Sequence, residues 1–153
     1  MSNQSQSANN TETARAAEKL LADSYALYLK THNYHWNVTG PMFNTLHTMF
    51  QTQYEELALA VDDVAERIRT LGAYTPGSFS EFAKMTSLQE AEAGTPAEVM
   101  IRQLADDQLK VAESARKLGE VAEAAGDDVS VDLAIRRQDV HQKNAWLLRS
   151  HLD

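Results

Sequence analysis

Apolar residues recur at helical spacing through most of the chain, and polar breaks divide that pattern into four long segments. Residues 2 to 10 are mainly Ser, Asn and Gln, which predicts a flexible polar tail over 1–12 ahead of a single domain over 13–153. From residue 13 to about 38, Ala17, Leu20, Leu21, Leu27 and Tyr28 share one helix face, with the small Ser24 filling the turn between them. Gly40-Pro41 then stops one helix and permits the next, because proline fixes φ and needs no amide partner in a first turn. Beyond Met42, the positions Phe43, Leu46, Phe50, Tyr54, Leu57, Val61, Val64, Ile68 and Leu71 keep the spacing as far as Gly72, a natural C-terminal stop.

Residues 73 to 94 lose the periodicity, and a connection this long is expected to carry a short helix, for which Thr86-Ser87-Leu88-Gln89-Glu90 offers a start. Thr95-Pro96-Ala97-Glu98 is a stronger signal, with a capping hydroxyl, proline at the first helical position and a glutamate to close a capping box. The third long helix runs from there to about Ala125 and ends at Gly126. A fourth starts near Asp128 or Ser130, with Ala134, Gln138, His141, Ala145, Leu148 and Leu152 spaced by threes and fours. The fold class is therefore all-α, a four-helix bundle with a short helix in its long middle connection. That connection lets the second and third long helices lie parallel, which a simple up-down bundle does not allow.

Composition narrows the chemistry. The 153 residues include no cysteine, which excludes thiolate metal sites, iron–sulfur clusters and a thiol nucleophile, so any metal sits on His, Asp, Glu or amide oxygen. With 22 acidic against 14 basic side chains, the net charge of -8 argues against a basic groove for nucleic acid. No stretch approaches the roughly 20 apolar residues that span a bilayer, and the first ten residues show no secretory signal pattern. A cytoplasmic location and no membrane partner are the expectations.

Spacing singles out candidate ligands. His35 and His47 lie at similar distances from the Gly40-Pro41 turn, so in an antiparallel helix pair their imidazoles come to one height. At about 100° per residue, with His47 at zero, Gln51 falls near 40°, Asp62 near 60° and Glu66 near 100°, a polar stripe beside the apolar one. Small Ala58 and Ala65 share that stripe, which points to another helix packing against it. His47 and Asp62 are fifteen residues apart, about 22 Å along a helix, so one metal cannot touch both in a single chain. Two copies packed antiparallel about a two-fold axis bring His47 of one beside Asp62 and Glu66 of the other. Imidazole and carboxylate without sulfur suit iron, manganese or zinc. The same residues also have plainer readings: Asp62 and Glu66 as a solvated face with Glu66 paired to Arg69, His47 as a hydrogen-bonded core histidine, and Trp36 as packing.

The string Lys30-Thr31-His32-Asn33-Tyr34-His35-Trp36-Asn37-Val38-Thr39-Gly40, followed by Phe43, Leu46-His47 and Asp62-Asp63-Val64-Ala65-Glu66-Arg67-Ile68, resembles the Dps family of mini-ferritins from about residue 13 to 152. Asp132-Leu133 and Trp146 to Arg149 fit that family's last helix. The resemblance implies a ferritin-like bundle that assembles as a hollow dodecamer, oxidises Fe(II) with hydrogen peroxide, stores ferric iron and protects against oxidative stress. It places the ferroxidase centre on His35 and His47 of one subunit with Asp62 and Glu66 of its two-fold partner, holding iron or, in its place, zinc or another divalent metal. It gives Trp36 the place of an aromatic proposed to quench radicals. A ferritin site inside each bundle is disfavoured, because that site needs Glu-x-x-His pairs and the sequence has none.

One position departs from the family pattern. A carboxylate is normal four residues after the second histidine, and Gln51 stands there, a neutral and weaker ligand. By the same resemblance Asp127, Asp128 and Asp132 line the channel through which Fe(II) enters, although Asp at a helix start is also ordinary capping. Residues 86 to 132 hold 11 acidic and 4 basic side chains, nearly all of the net charge. Over residues 1 to 19, Arg15 and Lys19 cancel Glu12 and Glu18, and Leu152-Asp153 carries no basic run, so DNA binding is expected to be weak or absent. The alternative is a DNA-coating nucleoid protein whose oxidation site has weakened at Gln51.

Overall fold

A computed structural model describes residues 2–153, with Met1 outside the described residues. The elements are α1 (Asn3–Asn37), α2 (Phe43–Thr70), α3 (Phe79–Met85), α4 (Ala97–Ala124) and α5 (Asp128–Arg149). The all-α four-helix bundle expected from the periodicity is the fold observed. Its directions follow from polar rungs between helices. Asp23, Lys30 and Tyr34 of α1 meet Ser114, Asp107 and Gln103 of α4, so these two helices run antiparallel. The α1–α2 pair is antiparallel about the Gly40 turn, and Glu56 and Arg67 of α2 meet Arg137 and Ser130 of α5 in the same opposed sense. Since α2 and α4 both oppose α1, they lie parallel, as the long connection allows.

The core fills from one face of each helix. Leu20, Leu27 and Tyr34 of α1 pack with Leu46, Phe50, Leu57, Val64 and Ile68 of α2, Ile101, Leu104, Val111 and Leu118 of α4, and Leu148 of α5. These side chains are fully buried, each worth roughly 1.5–3 kcal/mol for its removal from water.

Three boundaries differ from expectation. The segment expected as a flexible tail is helical from Asn3 on, capped by the Ser2 hydroxyl and cross-linked by Gln6 to Asn10 at 3.0 Å. A helix anchored downstream gains one bond for each further residue without a new nucleus, so polar residues extend it. The short helix lies at Phe79–Met85, ahead of Thr86, because Ser78 and Glu81 form a capping box: the Ser78 hydroxyl accepts from the Glu81 amide and donates to the Glu81 carboxylate at 2.7 Å. At α4, Pro96 is the cap position, and the Thr95 hydroxyl donates to the Glu92 carbonyl instead of capping.

Gly126 closes α4 with φ +70°, which lets its own amide reach the Glu123 carbonyl and that of Asp127 reach Ala122. Asp127 then caps α5 by accepting from the Ser130 amide at 3.0 Å.

Asp23 ties the long connection to the bundle. Its fully buried carboxylate accepts from Lys19 (2.5 Å), Ser114 (2.6 Å), the Thr86 hydroxyl (2.8 Å) and the Ser87 amide (2.9 Å). Burial opposes ionisation, but these donors outweigh it and hold the carboxyl below the usual aspartate range. Its folded pKa lies below the unfolded value, so this stabilisation is complete above about pH 4 and disappears as acid carries the pH through the lower folded value. Asp23→Ala is expected to destabilise the fold by about 3 kcal/mol at neutral pH, and the gap to wild type in thermal or denaturant unfolding should narrow below pH 4.

Candidate metal centre

His35 closes α1 and His47 stands in the early turns of α2, so the tight turn between them sets the two imidazoles face to face, with centroids 3.8 Å apart and planes inclined by 14°. Each Nδ1 lies 2.7 Å from the other residue's backbone carbonyl oxygen. A carbonyl only accepts, so each Nδ1 carries a proton and donates it, and in the neutral ring the lone pair then sits on Nε2. Carbonyl-anchored imidazoles of this kind are how metal-binding histidines are oriented and kept in the ligating tautomer.

Aromatic rings wall the pair. Phe43 stacks on His47 at 5.0 Å, and Tyr54 meets His35 edge-on at 5.1 Å. His32 lies between Trp36 (3.8 Å) and Tyr54 (4.2 Å), and burial together with the neighbouring His35 lowers its affinity for a proton. Trp36 is therefore one ring removed from the pair and 58% exposed, a site-flanking residue and no part of the core. The i,i+4 series Tyr28, His32, Trp36 was the sequence signal for this wall; Tyr54 joins it from α2.

The carboxylates stand apart from the histidines. Asp62 and Glu66 are exposed, and no cluster of three or more potential ligands forms within one chain among the described residues. Glu66 makes no ion pair with Arg69, which instead donates to the Ala73 carbonyl at 3.0 Å and covers the Tyr74 ring. Gln51 is half-buried, and its amide nitrogen donates to Glu55 at 2.8 Å, which leaves its carbonyl oxygen as the group available to a cation. The chain thus presents two separate groups of potential ligands, an imidazole pair where α1 meets α2 and a carboxylate pair further along α2. Two imidazole nitrogens, an amide oxygen and carboxylates without sulfur form a donor set that fits iron.

The acidic residues at the α4–α5 junction are placed together but engaged differently. Asp127 accepts from Ser130 and from Arg67 at 2.8 Å, and although burial opposes ionisation these donors hold its carboxyl below the usual range. Asp132 pairs with Arg136 at 2.9 Å on the surface, and Asp128 is exposed in the first turn of α5.

This architecture matches known proteins along its whole length. The ferritin-like domain family model covers residues 15–153. DNA protection during starvation protein 2 of Bacillus anthracis is 34% identical, over 94% of this chain and 99% of that protein. The chain belongs to the Dps family of ferritin-like proteins. General stress protein 20U of Bacillus subtilis is 33% identical, over 90% of this chain and 95% of its own length. Among solved Dps structures, that from Staphylococcus aureus superposes with a TM-score of 0.90 at 34% identity, covering 94% of this chain and 96% of that one. The Vibrio cholerae protein, described as a member of a broad superfamily of ferritin-like diiron-carboxylate proteins, gives 0.92 at 30% identity over 96% and 92%. Dps membership implies iron storage and stress protection. No helix among the described residues is long and apolar enough to cross a membrane.

The protonation pattern is directly measurable. Long-range proton–nitrogen NMR of the metal-free protein should show His35 and His47 protonated on Nδ1 with Nε2 bare. A neutral ring carrying its proton on Nε2 in either residue would remove the basis for a preformed imidazole pair.

Proposed function

We propose that the chain oxidises Fe(II), with hydrogen peroxide as electron acceptor, at centres shared between two subunits, and stores the ferric product inside a dodecameric cage. The observation that carries this reading is the His35–His47 pair, each anchored through Nδ1 with Nε2 turned free, beside a helix α2 whose exposed Asp62 and Glu66 lie about 22 Å and about 28 Å along from His47. In an antiparallel two-fold pairing of α2, the partner's carboxylates complete the ligand set and symmetry makes two centres per dimer. His35 and His47 bind Fe(II) as neutral donors, and Asp62 and Glu66 supply the negative charge that favours the ferric state. Two Fe(II) give up one electron each, and peroxide takes both with two protons to become water, so no odd electron is released. Asp127, Asp128 and Asp132 attract the incoming cation at the three-fold channel. Trp36, flanking the pair, intercepts stray oxidising equivalents. The -8 charge per chain opposes a DNA-coating role.

Shared centres make a sharp expectation for mixed assemblies. His47→Ala subunits and Asp62→Ala/Glu66→Ala subunits should each be inactive, and co-refolded equal mixtures should recover about a quarter of wild-type initial oxidation, since half of random dimers are mixed and each carries one intact centre. No recovery in particles shown by mass to be mixed would exclude centres built from two chains.

Gln51 sets a second expectation. An amide keeps an oxygen donor but not the charge that stabilises bound iron, so Gln51→Glu should raise Fe(II) affinity in anaerobic calorimetry or speed peroxide-driven oxidation about tenfold, with unchanged assembly. Repulsion from Glu55, now its hydrogen-bond partner, works against this gain. Equal or lower affinity and rate would show that position 51 is not a ligand.

A further inference from the structure

The centre of the bundle holds a second polar cluster, outside the interface half-sites. Arg137 of α5 is buried and grips Glu56 of α2 through both terminal nitrogens, Nη1 to Oε2 at 2.5 Å and Nη2 to Oε1 at 3.0 Å. The same Nη2 lies 3.1 Å from Nε2 of the fully buried His141. His141 in turn donates from Nδ1 to the Gln108 side-chain oxygen of α4 at 2.6 Å. That bond fixes the tautomer, so Nε2 is a lone pair aimed at the guanidinium. One turn before Glu56, the buried Gln53 has neither amide atom hydrogen-bonded within the chain.

A carboxylate and a neutral imidazole, the latter anchored through its other nitrogen by an amide oxygen, converge here on one cation. A carboxylate and an imidazole so anchored are donors of the kind that hold a metal ion. Bundles of ferritin-like di-iron proteins hold metal at their core with glutamates and histidines on facing helices. Here Glu56 and His141 face each other across α2 and α5, and the cation between them is a side chain. A metal replacing Nη2 would need bonds of about 2.0–2.2 Å, so each donor would have to close by about 1 Å. Glu56, more than a third exposed, has the freedom to do so.

We propose that Arg137 is the resident cation of a metal-shaped site, and that by occupying it permanently Arg137 excludes Fe(II) from the bundle centre and confines capture to the subunit interface. A guanidinium keeps its charge at every physiological pH, so this occupant does not leave by deprotonation. A metal ion could enter only by ejecting a tethered, buried charge from its partners. The meaning of the exclusion rests on the interface reading proposed above, but its test does not.

The probe is Co(II), whose visible absorption reports imidazole and carboxylate coordination, titrated into the metal-free assembled protein. Arg137→Gln, which removes the charge and keeps hydrogen-bonding capacity, should bind one more Co(II) per chain than wild type. That extra ion should vanish in Arg137→Gln/His141→Ala and persist in Arg137→Gln/His47→Ala. Arg137→Lys, which keeps a cation, should retain the wild-type number. Arg137→Met, apolar and of comparable length, provides the same comparison should the glutamine variant fail to assemble. An unchanged Co(II) count in whichever charge-free variant assembles, or an extra ion that survives loss of His141, would overturn the proposal. Co(II) that depends on His47 reports the interface, and Co(II) that depends on His141 reports the bundle centre, so the two readings fail separately.

Discussion

A helix advances about 1.5 Å per residue, and α2 carries an imidazole near one end of a face and two carboxylates near the other. Neither half is a complete ligand set, and the rigidity of a 28-residue helix packed along its full apolar side forbids them to meet. The rest of the molecule makes that incompleteness useful. The tight turn at Gly40 brings His35 against His47 within the chain, and the exposed carboxylates stay free of the cations on their own helix. Under the two-subunit centre proposed above, metal chemistry is conditional on association.

The two histidine-containing clusters divide along the same lines. At the α1–α2 end, the histidines donate to backbone carbonyls and keep their lone pairs free; at the α2–α5 centre, the histidine lone pair is already satisfied by Arg137. Both anchor their imidazoles through Nδ1. What differs is whether the chain itself supplies the cation.

The bundle was legible because its apolar positions repeat at helical spacing over four long stretches, and the His35–His47 meeting was legible because antiparallel helices equate distances from a turn. The parallel relation of α2 and α4 followed from connection length alone. What escaped was set by other rules. Residues 3 to 12 carry no apolar stripe, and their helix is a continuation of an anchored one. The α3 helix is announced by Ser78 and Glu81, a two-residue cue without periodicity. The Arg137, Glu56, His141 and Gln108 cluster is joined by hydrogen bonds between residues up to 81 positions apart, and no local spacing encodes such a meeting.

The rungs between α1 and α4 carry one more consequence, for how the chain finds its alignment. The α1–α2 and α4–α5 pairs each form through contacts near in sequence, whereas Tyr34 to Gln103, Lys30 to Asp107 and Asp23 to Ser114 span 69 residues or more. The seam between the two hairpins is therefore where a slip is easiest to make. An apolar seam tolerates a slide of one turn, about 5.4 Å, because leucine packs against leucine either way. A slide here strands the carboxylates of Asp23 and Asp107 away from their donors in a dry interior, and leaves Lys30 with them. The three rungs work as the teeth of a key: they admit one vertical alignment of the hairpins, and with it one height for His35 and His47 relative to α4 and α5.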